Sequence, residues 1–313
     1  MTDSITSSAP QHVRTAADST LSLRKRGLPR PLRRILSFLF VLLILAFMWE
    51  GVKWIGGTPW FPETNPLGIS HNPPYRFKFA SDLNLPHLWD IAAAFGQPSR
   101  RNGPPLISTL ADAAYFTFRE AFVGFLFGAA LGLLLGIIFV HSNLLERGLM
   151  PYVVASQTVP ILAIAPMVVI WLSAGWLSVA VIAAYLTFFP VTINTLRGLR
   201  SPDPMALELM DSYAASRWDI LWKLRFPAAL PYIFTALKVS ATASVVGAII
   251  GELPSGIRGG LGGAILNFNS YYISGPSRLW AAIIASAVVG IGFYVLVTIV
   301  ESLVLKGRQR VDG

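Results

Sequence analysis

The chain alternates between long apolar blocks and polar stretches, and this pattern predicts membrane-spanning helices. A spanning helix needs roughly 20 apolar residues to cross the hydrocarbon core of a bilayer. Blocks of this length lie at residues 35–54, 110–140, 151–172, 177–196, 228–251 and 279–305. The sequence therefore predicts an all-α polytopic membrane protein with six transmembrane helices.

The polar stretches predict how the rest of the chain is organised. Residues 1–34 are rich in Ser, Thr and Ala and end in a basic run, which predicts a disordered cytoplasmic tail. Residues 55–105 are rich in Pro and too irregular to cross a bilayer, so they form an external segment. We expect residues 106–306 to form a transmembrane domain of five helices, followed by a second cytoplasmic tail at residues 307–313.

The distribution of basic residues predicts the orientation. Six spans put both termini on one side of the membrane, and sixteen Lys and Arg residues fall on that side against seven on the other. Cytoplasmic loops carry an excess of these residues. We therefore expect both termini of a multi-pass inner (plasma) membrane protein to face the cytoplasm. This topology also explains the formal net charge of +9 without a nucleic-acid partner.

Composition excludes several kinds of site. The chain is 54% hydrophobic and only 13% charged, which is a membrane profile. It has no Cys, so neither disulfides nor thiolate metal sites are available, and its four His are scattered. We predict no metal site. Clusters of His, Asp or Ser at helical spacing are also missing, so we predict no catalytic residues, which argues against an intramembrane enzyme.

Within the spans, small residues and interrupted helices stand out. Gly124, Gly128, Gly132 and Gly136 recur every four residues and predict a face on which a neighbouring helix packs closely. Pro160 and Pro166 interrupt the third block, either as kinks in a packing helix or as breaks beside a pathway.

Charged residues inside a span are the other signal of a pathway. Charges are costly there, and Lys238 lies about one third of the way into the fifth block. It would either line a water-filled path or pair with a carboxylate.

The polar stretch between the fourth and fifth spans, residues 197–227, is the most informative. From Glu208 onward it is compatible with a helix and mixes charges with aromatic residues, as protein interfaces do. Leu209, Tyr213, Trp218, Leu221 and Trp222 would form its apolar anchor set. The other interpretation is an amphipathic helix that lies on lipid.

This segment resembles the cytoplasmic loop of ABC-importer permeases. The pattern of that loop is Glu-Ala-Ala, three residues, Gly, nine residues, an aliphatic residue, one residue, and Leu-Pro. The spacing is kept here as Glu208-Leu-Met, Ala214, Leu224 and Phe226-Pro227. The resemblance implies that the loop contacts an ATPase subunit. The residues that it assigns to this coupling loop are Glu208, Ala214, Ser216, Arg217, Trp218, Leu224 and Pro227.

Two positions of the loop carry structural expectations. Where the family has Gly, Ala214 either takes a positive φ at a steric cost or joins two helices with an ordinary negative φ. Pro227 is expected to end the segment and to start the next span.

The resemblance covers about residues 106–306 and is closest to the permeases for nitrate, sulfonates, taurine and thiamine-pyrimidine precursors. Pro160 and Pro166, together with Phe188-Phe189-Pro190 and Asn194-Thr195, are similar to the third and fourth spans of that subfamily. Gly251-Glu252, followed by Gly259-Gly260-Leu261-Gly262, is similar to the outer end of its fifth span. The pathway or gate candidates are Pro160, Pro166, Asn194, Lys238 and Glu252.

The resemblance implies a type I ABC-importer permease fold and a conformational function. The chain would work as a homodimer in membrane lipid with two ATPase subunits and an extracytoplasmic binding protein, and would translocate a small anionic or heterocyclic solute by alternating access. No phosphate loop of the form Gly-x-x-x-x-Gly-Lys-Ser/Thr occurs in the sequence. ATP and Mg²⁺ would therefore sit on the partner, and this chain would bind no cofactor and have no enzymatic activity of its own. The alternative is an ion-coupled secondary transporter.

Overall fold

The structure is a computed structural model that describes residues 30–63, 65–100 and 102–305, and for residues 30–35 it describes only the backbone. The predicted tail regions at residues 1–29 and 307–313 lie outside the described residues. The chain divides into two units, Met1–Trp49 and Glu50–Gly313.

The described part of the first unit belongs to helix α1, Arg30–Gly56. Its side chains from Leu36 onward are mostly apolar and exposed, as a lipid-facing helix requires. The helix begins at Arg30 instead of residue 35, so the predicted end of the tail is wrong for residues 30–34. Pro31 is tolerated there because a backbone N–H in the first helical turn has no partner in the helix.

The second unit is a bundle of helices with a short cap between α1 and α3. Its α-helices are α2 Leu88–Ala94, α3 Leu106–His141, α4 Asn143–Ser156, α5 Ile161–Leu172, α6 Trp176–Leu199, α7 Pro204–Ser212, α8 Arg217–Asp219, α9 Phe226–Ser255, α10 Leu261–Ser270 and α11 Pro276–Leu305. Two 3₁₀ turns, Lys78–Ala80 and Tyr272–Ser274, and a π-helical turn, Ile220–Arg225, complete the described part. The predicted all-α fold is confirmed.

Five helical stretches of the described residues are long and apolar enough to span a membrane: Leu36–Gly56, Leu106–His141, Trp176–Leu199, Arg217–Ser255 and Pro276–Leu305. A sixth span arises if α4 and α5, which meet at 99°, are counted together. Of the two alternatives for Pro160, a kink within one helix is therefore wrong, because the helix is broken there. The ring of Pro160 disfavours a helical conformation at Val159, so the first helix ends before it and α5 begins after it.

The centre of the bundle is the contact between α3 and α6, which the four glycines make possible. A Cβ atom added at Gly128 would lie 2.5 Å from the carbonyl oxygen of Ala184, and one at Gly132 would lie 2.6 Å from that of Phe188. The predicted close-packing face is thus confirmed. On its other side α6 packs against α9, where Gly247 approaches Ala183 of α6 in the same way.

Candidate functional site: the polar segment and the interrupted spans

The polar segment between α6 and α9 consists of two short helical pieces joined by a tight turn. Asp203 caps α7, because its side chain accepts a hydrogen bond from Met205 N at 2.9 Å. Ser216 caps α8 by accepting from Asp219 N at 3.2 Å. Lys223 Nζ lies 2.5 Å from Asp219 Oδ1, one helical turn away. These local bonds define the shape of the segment without a partner.

Ala214 lies in the turn between the two pieces and has a φ of +52°. The alternative of a negative φ at this position is therefore wrong. The turn needs the left-handed conformation because Ala215 N donates back to the carbonyl of Met210 at 3.0 Å, which closes the C-terminal end of α7. An L-residue with a Cβ adopts this conformation at a cost, so Ala214 makes at that cost a turn that glycine would make without it.

Pro227 starts the next span as predicted, in the first turn of α9, but it does not end the polar segment. The helical backbone continues from Arg217 to Ser255, with a π-helical turn at Ile220–Arg225 immediately before the proline. A π-turn shifts the bonding from i−4 to i−5, and such insertions accommodate local irregularity inside a helix. Pro227 lies in the first turn of α9 as the structure divides it. The second half of the segment and α9 are consequently one body.

Most of the anchor side chains predicted from the sequence face outward. Trp218 is 64% exposed, and Leu209, Tyr213 and Trp222 are exposed as well. Leu221 is only 1% exposed and packs with Leu199, Ala229 and Ile233, so its place in the anchor set is wrong. Leu221 attaches the segment to the bundle, while the exposed rings are available for contact with a molecule outside the bundle.

The remaining coupling-loop candidates differ in exposure. Glu208, Ala214, Ser216 and Arg217 are exposed, whereas Leu224 and Pro227 are half-buried against the bundle. The first four belong to the outward surface, and the last two lie where the segment joins α9.

Three residues that sequence reasoning missed hold the segment to neighbouring helix ends. The ring of His141, the last residue of α3, lies 5.9 Å from that of Trp218. Arg200, just after α6, forms a bidentate salt bridge with Glu146 of α4. These partners are far apart in sequence, and nothing in their local pattern predicts the pairing. They place the ends of α3, α4 and α6 on the same face of the bundle as the segment.

The bend between α4 and α5 borders a cavity of about 320 Å³. Pro160 lines it, together with Gln157 of the break and Tyr185 and Phe189 of α6. The hydroxyl of Tyr185 donates to the carbonyl of Ser156, the last residue of α4. Interrupted backbone inside a membrane protein is stable only where such groups or a cavity satisfy it, so Tyr185 stabilises the break.

The other pathway candidates lie in separate environments. Pro166 is exposed on α5, and Asn194 of α6 donates from Nδ2 to the carbonyl of Pro190 at 2.8 Å. Lys238 of α9 pairs with Glu301 of α11 at 2.9 Å, and both side chains are largely buried. Of the two alternatives for Lys238, the structure has the pairing with a carboxylate. No hydrogen bond or ion pair of the described residues joins these three candidates.

Glu252 belongs to a buried network at the opposite face of the bundle. It is 1% exposed and accepts hydrogen bonds from Thr117 Oγ1 of α3 and from Gly262 N of α10, both at 2.6 Å. A Cβ atom at Gly260 would lie 2.2 Å from Glu252 Oε1. The glycines after α9 are therefore needed so that the carboxylate can approach the backbone, and the network joins α3, α9 and α10.

Glu120 lies one turn after Thr117 on α3 and is 2% exposed. The carboxyl groups of Glu120 and Glu252 adjoin and share a side-chain hydrogen bond. In the same part of the chain, no group of three or more His, Asp and Glu side chains is arranged to hold a metal ion.

The fold and the polar segment together are those of a membrane transport protein, and comparison with known proteins defines its family. Residues 128–306 match the family described as the binding-protein-dependent transport system inner membrane component. The chain belongs to this family and is an inner-membrane permease subunit of the ABC-importer type. The resemblance found in the sequence is confirmed.

Several curated relatives cover most of the chain. The formylaminopyrimidine transport permease protein ThiX of Halalkalibacterium halodurans is 30% identical over 238 residues, which span 73% of this chain and 94% of the relative. The putative aliphatic sulfonates transport permease protein SsuC of Bacillus subtilis is 33% identical over 274 residues, 80% of this chain and 96% of the relative. The nitrate import permease protein NrtB of a Synechocystis species is 27% identical, covering 60% of this chain and 67% of the relative.

Proposed function

We propose that this chain forms the transmembrane path of an ATP-driven importer and moves a small solute by alternating access. The solute is an anion or a heterocycle of the sulfonate, nitrate, taurine or thiamine-precursor type, in line with the names of the related permeases. Two copies of the chain pair with two ATPase subunits and receive the solute from an extracytoplasmic binding protein. ATP and Mg²⁺ bind to the ATPase, and both termini of this chain face the cytoplasm.

The observation that carries the proposal is the polar segment. It exposes Trp218, Tyr213 and Trp222 beside Glu208 and Arg217, and exposed aromatic rings within a polar rim are typical of protein interfaces. Because its second half is continuous with α9, a push on these rings by a closing ATPase dimer would move a whole span. An amphipathic helix lying on lipid would instead collect basic residues on its polar face, whereas Asp219 is interleaved with Lys223 here.

The test is co-purification of the ATPase subunit with the tagged chain from membranes in mild detergent. We expect Trp218→Asp and Glu208→Arg each to lose the ATPase while still inserting into the membrane, because both alter the exposed surface of the segment. The matched control is Phe79→Asp, which changes an equally exposed ring in the external cap. Unaltered ATPase recovery in both segment variants would refute the coupling role, and transport that persists without ATP would refute the importer mechanism.

A further inference from the structure

The external cap between α1 and α3 is built around a network of charges. Lys53 is completely buried and donates to Asp82 Oδ1 at 2.5 Å and to the carbonyl of Leu85 at 2.6 Å. Glu50 accepts from His87 Nδ1 at 2.7 Å and from Leu88 N at 2.8 Å, at the start of α2. These bonds attach the segment between α1 and α2 to the C-terminal end of α1, so the cap has a defined shape.

A cavity of about 200 Å³ opens in this cap, on the face opposite the polar segment. Two indole rings, Trp60 and Trp89, form a corner with centroids 5.3 Å apart and planes at 80°. The ring of His87 stacks on Trp89 at 4.1 Å and meets Trp60 edge to face. Phe61 and Asn65 also line the cavity, together with Asp82 and Asp90. No Lys or Arg is among the lining residues.

The charges around the cavity do not balance. Among the described residues, Lys53 supplies one positive charge, whereas Glu50, Asp82 and Asp90 supply three negative ones when ionised, so one negative charge remains even when His87 is protonated. Asp90 forms no hydrogen bond or ion pair with the described residues. Burial raises the pKa of Asp90, His87 and Lys53 act to lower it, and Asp82 and Glu50 raise it further. A cation placed beside this carboxylate would be stabilised.

A second, independent observation also points to a ligand. Trp60 lines the cavity and is 7% exposed, yet its indole N–H has no hydrogen-bond acceptor among the described residues. A buried N–H donor without an acceptor is unfavourable and needs an explanation. A ligand that fits both observations carries a positive charge for Asp90 and an acceptor atom for Trp60.

We propose that this cavity binds a small organic ammonium ion that also carries a hydrogen-bond acceptor. The carboxylate of Asp90 neutralises the ammonium group, and the indole rings of Trp60 and Trp89 flank it, since aromatic rings attract cations. The Trp60 N–H donates to the acceptor atom of the ligand. The site lies outside the spans and does not depend on the proposed transport function.

The test uses choline as the probe and 3,3-dimethylbutan-1-ol, its uncharged isostere, as the comparison. Binding to the full chain in nanodiscs of phosphatidylglycerol, which lacks ammonium headgroups, is measured by equilibrium dialysis. We expect saturable choline binding in the millimolar range or tighter, and at least about tenfold weaker binding of the isostere, because only choline carries the charge. This comparison uses only the unaltered chain. Absence of saturable choline binding, or equal affinities for the two probes, would overturn the proposal.

Variants then locate the site. Asp90→Asn should weaken choline binding about tenfold, and Trp60→Phe, which keeps an aromatic ring but loses the N–H, should weaken it severalfold. The matched control, Asp112→Asn, changes an exposed carboxylate outside the cavity and should bind choline as the unaltered chain does. A folded Asp90→Asn variant with unchanged affinity would refute the assignment.

Nanodiscs that contain phosphatidylethanolamine separate two sources of the ammonium group. Competition by this lipid would assign the site to a lipid headgroup, and unchanged choline affinity would assign it to a free solute.

Discussion

Substituting one glycine of α3 tests whether the close contact between α3 and α6 requires a residue without a Cβ atom. In Gly132→Ala, the new Cβ atom would lie 2.6 Å from the carbonyl oxygen of Phe188 and 2.7 Å from the Cβ atom of Val191. Neither atom can rotate away, because one belongs to the backbone and the other is fixed to it. Ordinary contacts begin near 3.4 Å, so the helices would have to separate by about 0.8 Å at this point, which is overpacking.

The size of the effect follows from two opposing contributions. Overpacking costs about 1–3 kcal/mol, and contacts with immobile atoms favour the upper half of that range. Alanine gains up to about 1 kcal/mol over glycine in helix propensity. We therefore expect Gly132→Ala to lower the free energy of unfolding by about 1–2 kcal/mol. The matched control is Gly148→Ala in α4, where a Cβ atom meets nothing within 4 Å, so only the stabilising contribution remains.

The assay is thermal unfolding of the three chains in one detergent, followed by tryptophan fluorescence. We expect Gly148→Ala to melt at or above the temperature of the unaltered chain and Gly132→Ala to melt clearly below it. If Gly132→Ala melted at or above Gly148→Ala, the close approach of α3 and α6 would not limit the residue at this position, and the packing argument would fail.

Three further predictions follow from other contacts. Ala214→Gly should raise the free energy of unfolding by up to about 1 kcal/mol, because glycine adopts the positive φ without strain, whereas Ala206→Gly within α7 should lower it; chemical denaturation distinguishes the signs. Lys238→Met should destabilise the chain by about 2 kcal/mol because Glu301 loses its partner, and the double variant with Glu301→Leu should recover much of the loss in the same thermal assay. Choline affinity should decline as the pH falls through the raised pKa of Asp90, since binding needs the carboxylate; a dialysis series across pH checks this.

Features with a local periodicity could be predicted from the sequence, and features that join distant segments could not. The glycine face of α3 and the spacing from Glu208 to Pro227 that resembles the ABC-permease loop are local patterns, so they were visible in the sequence. Pro160 marked an interruption of the apolar block at residues 151–172, but the sequence could not decide between a kink and a break, because both leave the block apolar.

The ion pairs between distant residues could not be predicted from the sequence, for a different reason. Lys238 and Glu301 lie on different spans, and Lys53 meets Asp82 only after the cap has folded back. Hydrophobic periodicity says which face of a helix is buried but not which residue of another helix lies opposite it. The φ of Ala214 was also undecided in the sequence, because the turn that closes α7 sets it.

The unbroken helix through Pro227 gives the chain a mechanical lever. α9 has 30 residues and is therefore about 45 Å long, so a tilt of about 5° about its first turn displaces its far end by about 4 Å. Near that end, the carboxylate of Glu252 is held by bonds of 2.6 Å to α3 and α10. A displacement of this size would break those bonds or move both helices, so under the proposed coupling a force on Trp218 would reach Glu252 at the opposite end of the bundle.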